Sequence, residues 1–212
     1  MPDVSELLQK ISRKQGLVRN KLLGSPLGKK KVFGIGLNKT GTSTLGACLR
    51  TLGFNHLYDV QRLSKFHFDG DHASLFNIVD QYDSFEDWPI PLIYKELNDR
   101  YGDDALFILT ERITPEAWVN SLSRHAKRIN FEGARALRTK IYGYEGPDGH
   151  EDEHIAFYNR HNAEVVDYFK ERGEQDRLVT LCWEKGDDWD TLCGFLGVKK
   201  PWVKFPHVNK GG

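Results

Sequence analysis

The chain has 212 residues, the length of one ordinary globular domain, which buries a core without help from disulfides or structural metals. Thirty basic residues balance thirty acidic ones, so no overall field attracts the protein to nucleic acid or to an anionic membrane, and a bound anion needs a local site. Three cysteines without close pairing predict reduced core thiols rather than a disulfide framework. No apolar run reaches the roughly 20 residues of a membrane span and no secretory signal precedes the domain, so we expect a soluble, cytoplasmic protein.

The first 30 residues form a separate segment. Apolar residues recur there at helical spacing among basic ones, which predicts an amphipathic helix at residues 4–23 whose apolar face packs on the domain. A membrane-surface or substrate-guiding arm is the alternative interpretation of the same pattern. We therefore divide the chain into an N-terminal amphipathic helical segment at residues 1–30 and a main domain at residues 31–212.

Three strand-to-helix units follow one another in the main domain. The predicted strands are short apolar runs at residues 31–36, 105–110 and 178–182. The helix after the first strand ends at Gly53, and the helix after the second begins near Pro115. Asp187 and Asp188 are plausible caps for the third helix, which ends at Gly197.

Further helices are predicted at residues 92–101 and 153–172. Strands that alternate with helices favour an α/β fold with three layers, a P-loop-like arrangement in which helices flank a central parallel β-sheet. Such sheets bind ligands at the carboxyl ends of their strands. The glycine-rich segment at residues 142–153 is either a lid over that edge or an ordinary surface connection.

The most informative segment lies between the first strand and its helix and reads Gly34-Ile-Gly-Leu-Asn-Lys-Thr-Gly-Thr-Ser-Thr. Small residues let successive backbone N–H groups converge on an anion, and the helix N-terminus adds roughly half a positive charge. Lys39 supplies a full charge, and three hydroxyls can donate further hydrogen bonds. We interpret the segment as a phosphate-binding loop, with a turn that merely joins strand to helix as the alternative.

The loop differs from the two commonest nucleotide-binding motifs. In the nucleotide-kinase loop lysine follows the second glycine, whereas here Lys39 precedes Gly41. A kinase also needs an acidic residue for magnesium, and the strand at residues 105–110 offers no obvious counterpart. The chain has no C-x-x-C pair, and no metal is expected. A P-loop kinase and a catalytically silent nucleotide-binding module remain alternatives.

The loop resembles that of the sulfotransferase superfamily, in particular of its compact soluble members with Gly-Leu-x-Lys/Arg-Thr-Gly-Thr-Ser/Thr. Further segments resemble the family in the same order, at residues 83–97, 107–112, 115–118, 192–198 and 205–211. The resemblance covers residues 31–212. It implies transfer of a sulfuryl group from 3′-phosphoadenosine 5′-phosphosulfate (PAPS) to a hydroxyl or amine of a small-molecule, lipid or carbohydrate acceptor, without nucleic acid and without a metal.

The resemblance also implies which residues bind the donor. The residues that would hold the 5′-phosphosulfate are Lys39, Thr40, Gly41, Thr42, Ser43 and Thr44. Arg112 and Ser121 would bind the 3′-phosphate, although this chain has one residue more than the family between the arginine and Pro115. Lys210 would close over the same phosphate. An ion pair between Arg112 and a surface carboxylate, and a frayed terminus at Lys210, are the alternatives.

Two residues are predicted to act in the chemistry. Lys39 would neutralise the departing oxygen of the donor, and Asp87 would take the proton of the acceptor hydroxyl. The resemblance places the base between the donor loop and the arginine strand, where His56 and Asp59 are the runners-up. A helix cap is the alternative role for Asp87. Residues 55–88 and 128–154 would form the acceptor side, and their composition does not identify the acceptor.

Overall fold

A computed structural model describes residues 18, 20–206 and 208 of the chain. The described strands form one sheet in the order β2-β3-β1-β4-β5, and every neighbouring pair is parallel. The strands are β1 (Lys31–Gly34), β2 (His56–Leu57), β3 (Ser84–Phe85), β4 (Ala105–Thr110) and β5 (Leu178–Leu181). The strand order reverses at β1, with β3 on one side of it and β4 on the other. The carboxyl end of β1 is therefore the place where such folds bind ligands.

Helices cover both faces of this sheet. They are α1 (Thr42–Leu52), α2 (Val60–Phe68), α3 (His72–Val79), α4 (Tyr94–Tyr101), α5 (Pro115–Arg128), α6 (Glu132–Tyr142), α7 (Glu151–Glu171) and α8 (Trp189–Leu196). The sheet, its two helical layers and its parallel order confirm the predicted three-layer α/β fold.

The core follows from the alternation of side chains along the strands. Phe33 and Phe107 point to one face, where they pack with α2, α3, α4 and α7. Val32 and Ile108 point to the other face, against α1 and α8. A third cluster surrounds the fully buried Trp118 of α5 and joins α5, α6 and α7 to the edge of the sheet. The three cysteines are buried, and none of them forms a disulfide within the described residues, as predicted.

The predicted element boundaries need small corrections. The helix expected at residues 92–101 is α4, which starts later because a 3-10 turn at Ile90–Leu92 comes first. The helix expected at residues 153–172 is α7, which starts two residues earlier. Asp188 caps α8 by accepting a 2.7 Å hydrogen bond from a first-turn N–H. Asp187 instead accepts a bond from the backbone N–H of Cys182 and is not the cap.

Most of the predicted N-terminal helix lies outside the described residues. Residues 20–23 are helical. The side chain of Asn20 donates hydrogen bonds to the Gly53 carbonyl at 2.8 Å and to the Asp83 carboxylate at 2.6 Å. The end of the segment is thus attached to the loop after α1 and to the start of β3.

Candidate functional site

A cleft of about 630 Å³ opens at the carboxyl end of the sheet. The described residues that line it are 38–44, Tyr58, Asp87, Glu111, Arg112, Ser121, Arg124, His125, Arg128, Trp183, Glu184 and Val208. The predicted loop, the predicted arginine and serine, and the predicted base therefore all face one space. They come from the ends of β1, β3 and β4 and from α5, elements far apart in the sequence.

The loop between β1 and α1 has a backbone conformation that only certain residues accept easily. Gly41, at the start of α1, has φ 95°, and Lys39 has φ 70°. A Cβ at Gly41 would lie 2.4 Å from Cδ1 of the Trp183 ring, so a side chain there would be both strained and blocked. The Trp183 indole N–H donates to the Gly41 carbonyl at 3.2 Å. Glycine at this position lets the ring lie directly against the loop.

Buried hydrogen bonds hold the loop from beneath. The hydroxyls of Thr40 and Thr110 are 2.6 Å apart, and Thr110 is the last residue of β4. The Trp118 indole donates to the Asn38 carbonyl at 2.8 Å, and the Tyr142 hydroxyl donates to the Asn38 side-chain oxygen at 2.7 Å. These partners are almost completely buried. The backbone of the loop is therefore fixed before any ligand arrives.

The loop hydroxyls have different surroundings from those that the sequence suggested. The Thr42 hydroxyl bonds the buried Glu86 carboxylate, and the Thr44 hydroxyl accepts a 3.2 Å hydrogen bond from the Val208 N–H. The Ser43 hydroxyl, unlike those of Thr42 and Thr44, has no hydrogen-bond partner within the described chain. The start of α1 has no side-chain cap, so its first N–H groups also lack the usual acceptor. An anion in the cleft would meet these amides, the Ser43 hydroxyl and a lysine.

Lys39 is half-buried at the rim of this loop. No carboxylate of the described residues lies within ion-pair distance of its ammonium. Burial lowers its pKa below the usual lysine value, and the charge of Arg128 lowers it further, while Asp87 acts in the opposite direction. A partly desolvated ammonium without a counterion favours a bound anion.

Arg112 lies just beyond β4 and faces the cleft beside the loop. Its backbone N–H donates to the Tyr158 hydroxyl at 3.0 Å. Its guanidinium makes a two-pronged ion pair with Glu184, at 2.8 Å from Nε to Oε2 and 2.6 Å from Nη2 to Oε1. The alternative expectation of an ion pair with a carboxylate is therefore realised, and the arginine still lines the cleft with Ser121.

The connection between β4 and α5 consists of residues 111–114, where the sequence predicts one residue more than in the family. Ile113 points into solvent with 51% of its surface exposed, and its N–H donates to Glu184 at 2.8 Å. Thr114 then caps α5 by accepting from the Ala117 N–H. Helix α5 thus starts at Pro115 and places Ser121 on its cleft-facing side.

Asp87 follows β3 and faces the cleft with a half-buried side chain. It has φ 68°, and its Oδ1 accepts a 2.8 Å hydrogen bond from the adjacent Trp88 N–H. The following α-helix, α4, starts at Tyr94 without a side-chain cap, so the helix-cap role for Asp87 is wrong. Burial and the charge of the neighbouring Glu86 raise the pKa of Asp87, a direction that suits a base working near neutral pH.

The two runners-up for the base lie elsewhere, and neither lines the cleft. His56 is buried on β2, with Nδ1 2.9 Å from the Ser84 hydroxyl. Asp59 caps α2 by accepting from the Arg62 N–H and pairs with the Arg62 guanidinium at 2.8 Å. Of the predicted bases, Asp87 alone is placed beside the loop.

Sequence reasoning missed several cleft residues. Arg124 and Arg128 of α5 continue the face that carries Ser121, and their spacing of three and seven residues was an available signal. His125, one turn after Ser121, is half-buried in the cleft wall, and its buried Nδ1 has no partner among the described residues. Trp183 comes from a turn with no periodic pattern, so no sequence signal pointed to it.

Other predictions fall outside this cleft. Lys210 lies outside the described residues. The connection between α6 and α7 borders a separate depression with Lys127 and Arg138, and none of its residues lines the cleft, which does not support a lid. Among the described residues there is no group of three or more acidic, histidine or cysteine side chains arranged to hold a metal. No helix in the described part of the chain is long and apolar enough to cross a membrane.

Comparisons with known proteins identify the family of the chain and support its fold. A family model described as "Sulfotransferase domain" matches residues 31–212. A curated relative from Aspergillus versicolor, "Ava biosynthesis cluster protein M", is 25% identical over 219 residues, covering 84% of this chain and 80% of the relative. The crystal structure of a sulfotransferase from Alicyclobacillus acidocaldarius aligns with a TM-score of 0.52 and 17% identity, covering 82% of this chain and 83% of that one. The structural match supports the fold.

Proposed function

The chain belongs to the sulfotransferase-domain family, and we propose that it transfers a sulfuryl group from PAPS to a hydroxyl or amine of an acceptor bound in the cleft. One observation carries the proposal. A single cleft brings together an uncapped helix N-terminus with Lys39, a second cationic point at Arg112 and Ser121, and a carboxylate of raised pKa at Asp87.

The two cationic points suit a donor with phosphates at both ends of its ribose. The amides at the start of α1 and the Lys39 ammonium would hold the 5′-phosphosulfate. The Arg112 guanidinium, with its planar fork, and the Ser121 hydroxyl would hold the 3′-phosphate. The Trp183 ring lies against Gly41 of the loop, lines the cleft and would offer an apolar surface to the nucleotide base. The contact between Thr44 and Val208 brings Val208, two residues before Lys210, to the loop and supports a role for Lys210.

The proposed reaction needs only positioning and charge stabilisation. The acceptor oxygen attacks sulfur in line, a new S–O bond forms, and the S–O bond to the 5′-phosphate breaks. The bonding electrons leave with the phosphate oxygen, whose growing charge Lys39 stabilises. The acceptor proton passes to the Asp87 carboxylate. The products are the sulfated acceptor and adenosine 3′,5′-bisphosphate.

Calorimetry tests the donor assignment directly. We expect adenosine 3′,5′-bisphosphate to bind, adenosine 5′-monophosphate to bind more weakly, and ATP with magnesium not to bind better than either. Mass spectrometry of reactions with PAPS and a mixed panel of phenols, alcohols, sugars and amines should then detect sulfated products. Tight binding of magnesium-ATP without binding of the bisphosphate would favour the kinase instead. Bisphosphate binding without transfer to any acceptor would favour a silent nucleotide-binding module.

A further inference from the structure

Helix α5 presents a row of four polar residues to the cleft, which together span two turns of the helix. The residues of this row are Ser121, Arg124, His125 and Arg128. The adjacent face of the helix carries Trp118 and Leu122, which are fully buried in the core. The core therefore fixes the rotation of α5 and keeps the polar row turned toward the cleft.

Arg124 and Arg128 are cations without a counterion among the described residues. Both are exposed, and neither pairs with a carboxylate of the described residues, although Asp87, Glu111 and Glu184 also line the cleft. Glu184 is already engaged by a different arginine. By contrast, Lys127 on the same helix, which does not line the cleft, pairs with an aspartate at 2.9 Å. The uncompensated charge of α5 is thus concentrated on its cleft side.

The row extends beyond the reach of one phosphate. Ser121 and Arg128 are seven residues apart, which corresponds to roughly 10 Å along a helix. If Ser121 contacts the 3′-phosphate, Arg128 lies toward the other end of the cleft. The charge of Arg128 also acts on the Lys39 ammonium more strongly than that of Arg112 does. Of the two α5 arginines, Arg128 therefore acts more strongly on Lys39, the cation that would stabilise the departing oxygen.

His125 adds hydrogen bonding rather than charge to this row. Burial, together with the charges of Lys39 and Arg128, lowers its pKa to about 4, so its imidazole is neutral at physiological pH. Its Nδ1 is buried without a partner in the described structure. An unpartnered buried nitrogen between two arginines would gain from a polar ligand group.

We propose that the acceptor is anionic, and that Arg124 and Arg128 bind its carboxylate, sulfate or phosphate group while its nucleophile is held near Asp87. Guanidinium groups bind such oxyanions through two parallel hydrogen bonds, which also orient the rest of the molecule. This inference rests on the proposed function. It narrows an acceptor class that sequence composition leaves open.

The test uses the protein saturated with adenosine 3′,5′-bisphosphate, so that the donor site is filled. Calorimetry then compares three small probes: benzoate, phenyl phosphate and the neutral benzamide. The proteins are the parent, Arg124→Gln, Arg128→Gln, the double variant, and Lys127→Gln as a control that removes one charge from the same helix. Since both arginines are exposed, we expect all variants to fold, and thermal unfolding checks this.

We expect the parent to bind at least one anion about tenfold or more tightly than benzamide, and the double variant to lose that preference. Lys127→Gln should keep it, and bisphosphate affinity should change little throughout. Benzoate and phenyl phosphate distinguish a carboxylate from a phosphate-like group. Equal binding of benzamide, or no loss of anion binding in the double variant, overturns the proposal. A loss of bisphosphate affinity in the arginine variants would instead show that the arginines bind the donor. This result also overturns the proposal, while the proposed function stands. Failure of the folded parent to bind the bisphosphate removes both.

Discussion

The two cations assigned to the donor are held in opposite ways. Lys39 extends from a loop in which Asn38 and Thr40 are hydrogen-bonded to buried groups of β4, α5 and α6, and its ammonium has no carboxylate partner in the described structure. Arg112 extends from a short connection, and its guanidinium is already bound by the Glu184 carboxylate. The first cation is ready for an anion, whereas the second must exchange one anion for another.

The two cations therefore differ in how much electrostatic stabilisation each can contribute to the reaction. A fixed, uncompensated charge stabilises a transition state without rearrangement at the moment of reaction. A charge that has to leave a partner contributes only the difference between the old ion pair and the new one. We therefore expect the loop to determine the rate, and Arg112 to determine which nucleotide binds.

The largest effect should come from Lys39→Ala. Removing the ammonium leaves the departing phosphate oxygen without its main charge partner, so kcat should fall by roughly a hundredfold to a thousandfold. The loop is held by other residues, so the melting temperature should change little. Steady-state turnover and thermal unfolding measure the two effects. The matched control is Lys170→Ala, an exposed lysine of α7 outside the cleft, which should keep full activity. Parental kcat in Lys39→Ala would refute the loop assignment.

Asp87→Asn should follow, with a loss of turnover of roughly a hundredfold or more and unchanged affinity for the bisphosphate. The parent should also lose kcat/KM as the pH falls through the raised pKa of Asp87, because the base must be deprotonated. It should lose activity again at alkaline pH, where Lys39, with its lowered pKa, gives up its proton. In Asp87→Asn the acid limb of this profile should disappear.

Asp59→Asn is the matched control for the base. Asp59 caps α2 and pairs with Arg62, so this variant should lose some stability and keep its turnover. The opposite pattern, a large loss of turnover in Asp59→Asn and a small one in Asp87→Asn, would move the base to Asp59.

The sequence predicted the parts of the molecule whose signals are local. The strand at residues 105–110 is a long apolar run, and Gly53 and Gly197 end helices by adopting left-handed conformations. Strands β2 and β3 have two residues each, too few for a periodic pattern, and both were missed. The position of Asp87 was predicted from resemblance to a family, because a two-residue strand gives no signal of its own.

The missing parts of the site depend on contacts between distant residues. Glu184 is 72 residues from Arg112 and lies in a short turn, so no spacing rule joins them. The Thr42 hydroxyl was expected to face an anion, but it bonds the buried Glu86, a pairing that only the packing of α1 on β3 produces. The arginines of α5 were within reach of a periodicity argument, since Trp118 and Leu122 mark the buried face.

Arg112→Ala should have a smaller effect, and on binding rather than rate. Without the guanidinium the 3′-phosphate loses its paired hydrogen bonds, so bisphosphate affinity should fall by roughly tenfold to a hundredfold. Affinity for adenosine 5′-monophosphate, which lacks that phosphate, should hardly change. Calorimetric titrations with the two nucleotides measure how strongly the protein prefers the one that carries the 3′-phosphate. A variant that still prefers the 3′-phosphorylated nucleotide as strongly as the parent would show that Arg112 is not its ligand.

The smallest effect should come from Glu184→Gln, which tests directly whether Arg112 is held back by its carboxylate partner. Glutamine keeps an oxygen that can accept the hydrogen bond from the Ile113 N–H, but it removes the negative charge that pairs with the Arg112 guanidinium. The pair is partly exposed, with 21% of the Arg112 side chain and 36% of the Glu184 side chain accessible, so we expect it to contribute less than about 1 kcal/mol. Bisphosphate affinity should therefore rise only a few-fold, more at low salt than at high salt, while affinity for adenosine 5′-monophosphate stays the same. If the bisphosphate binds more weakly to Glu184→Gln, the carboxylate positions Arg112 for the phosphate instead of competing with it, and the contrast between a free and an occupied cation fails.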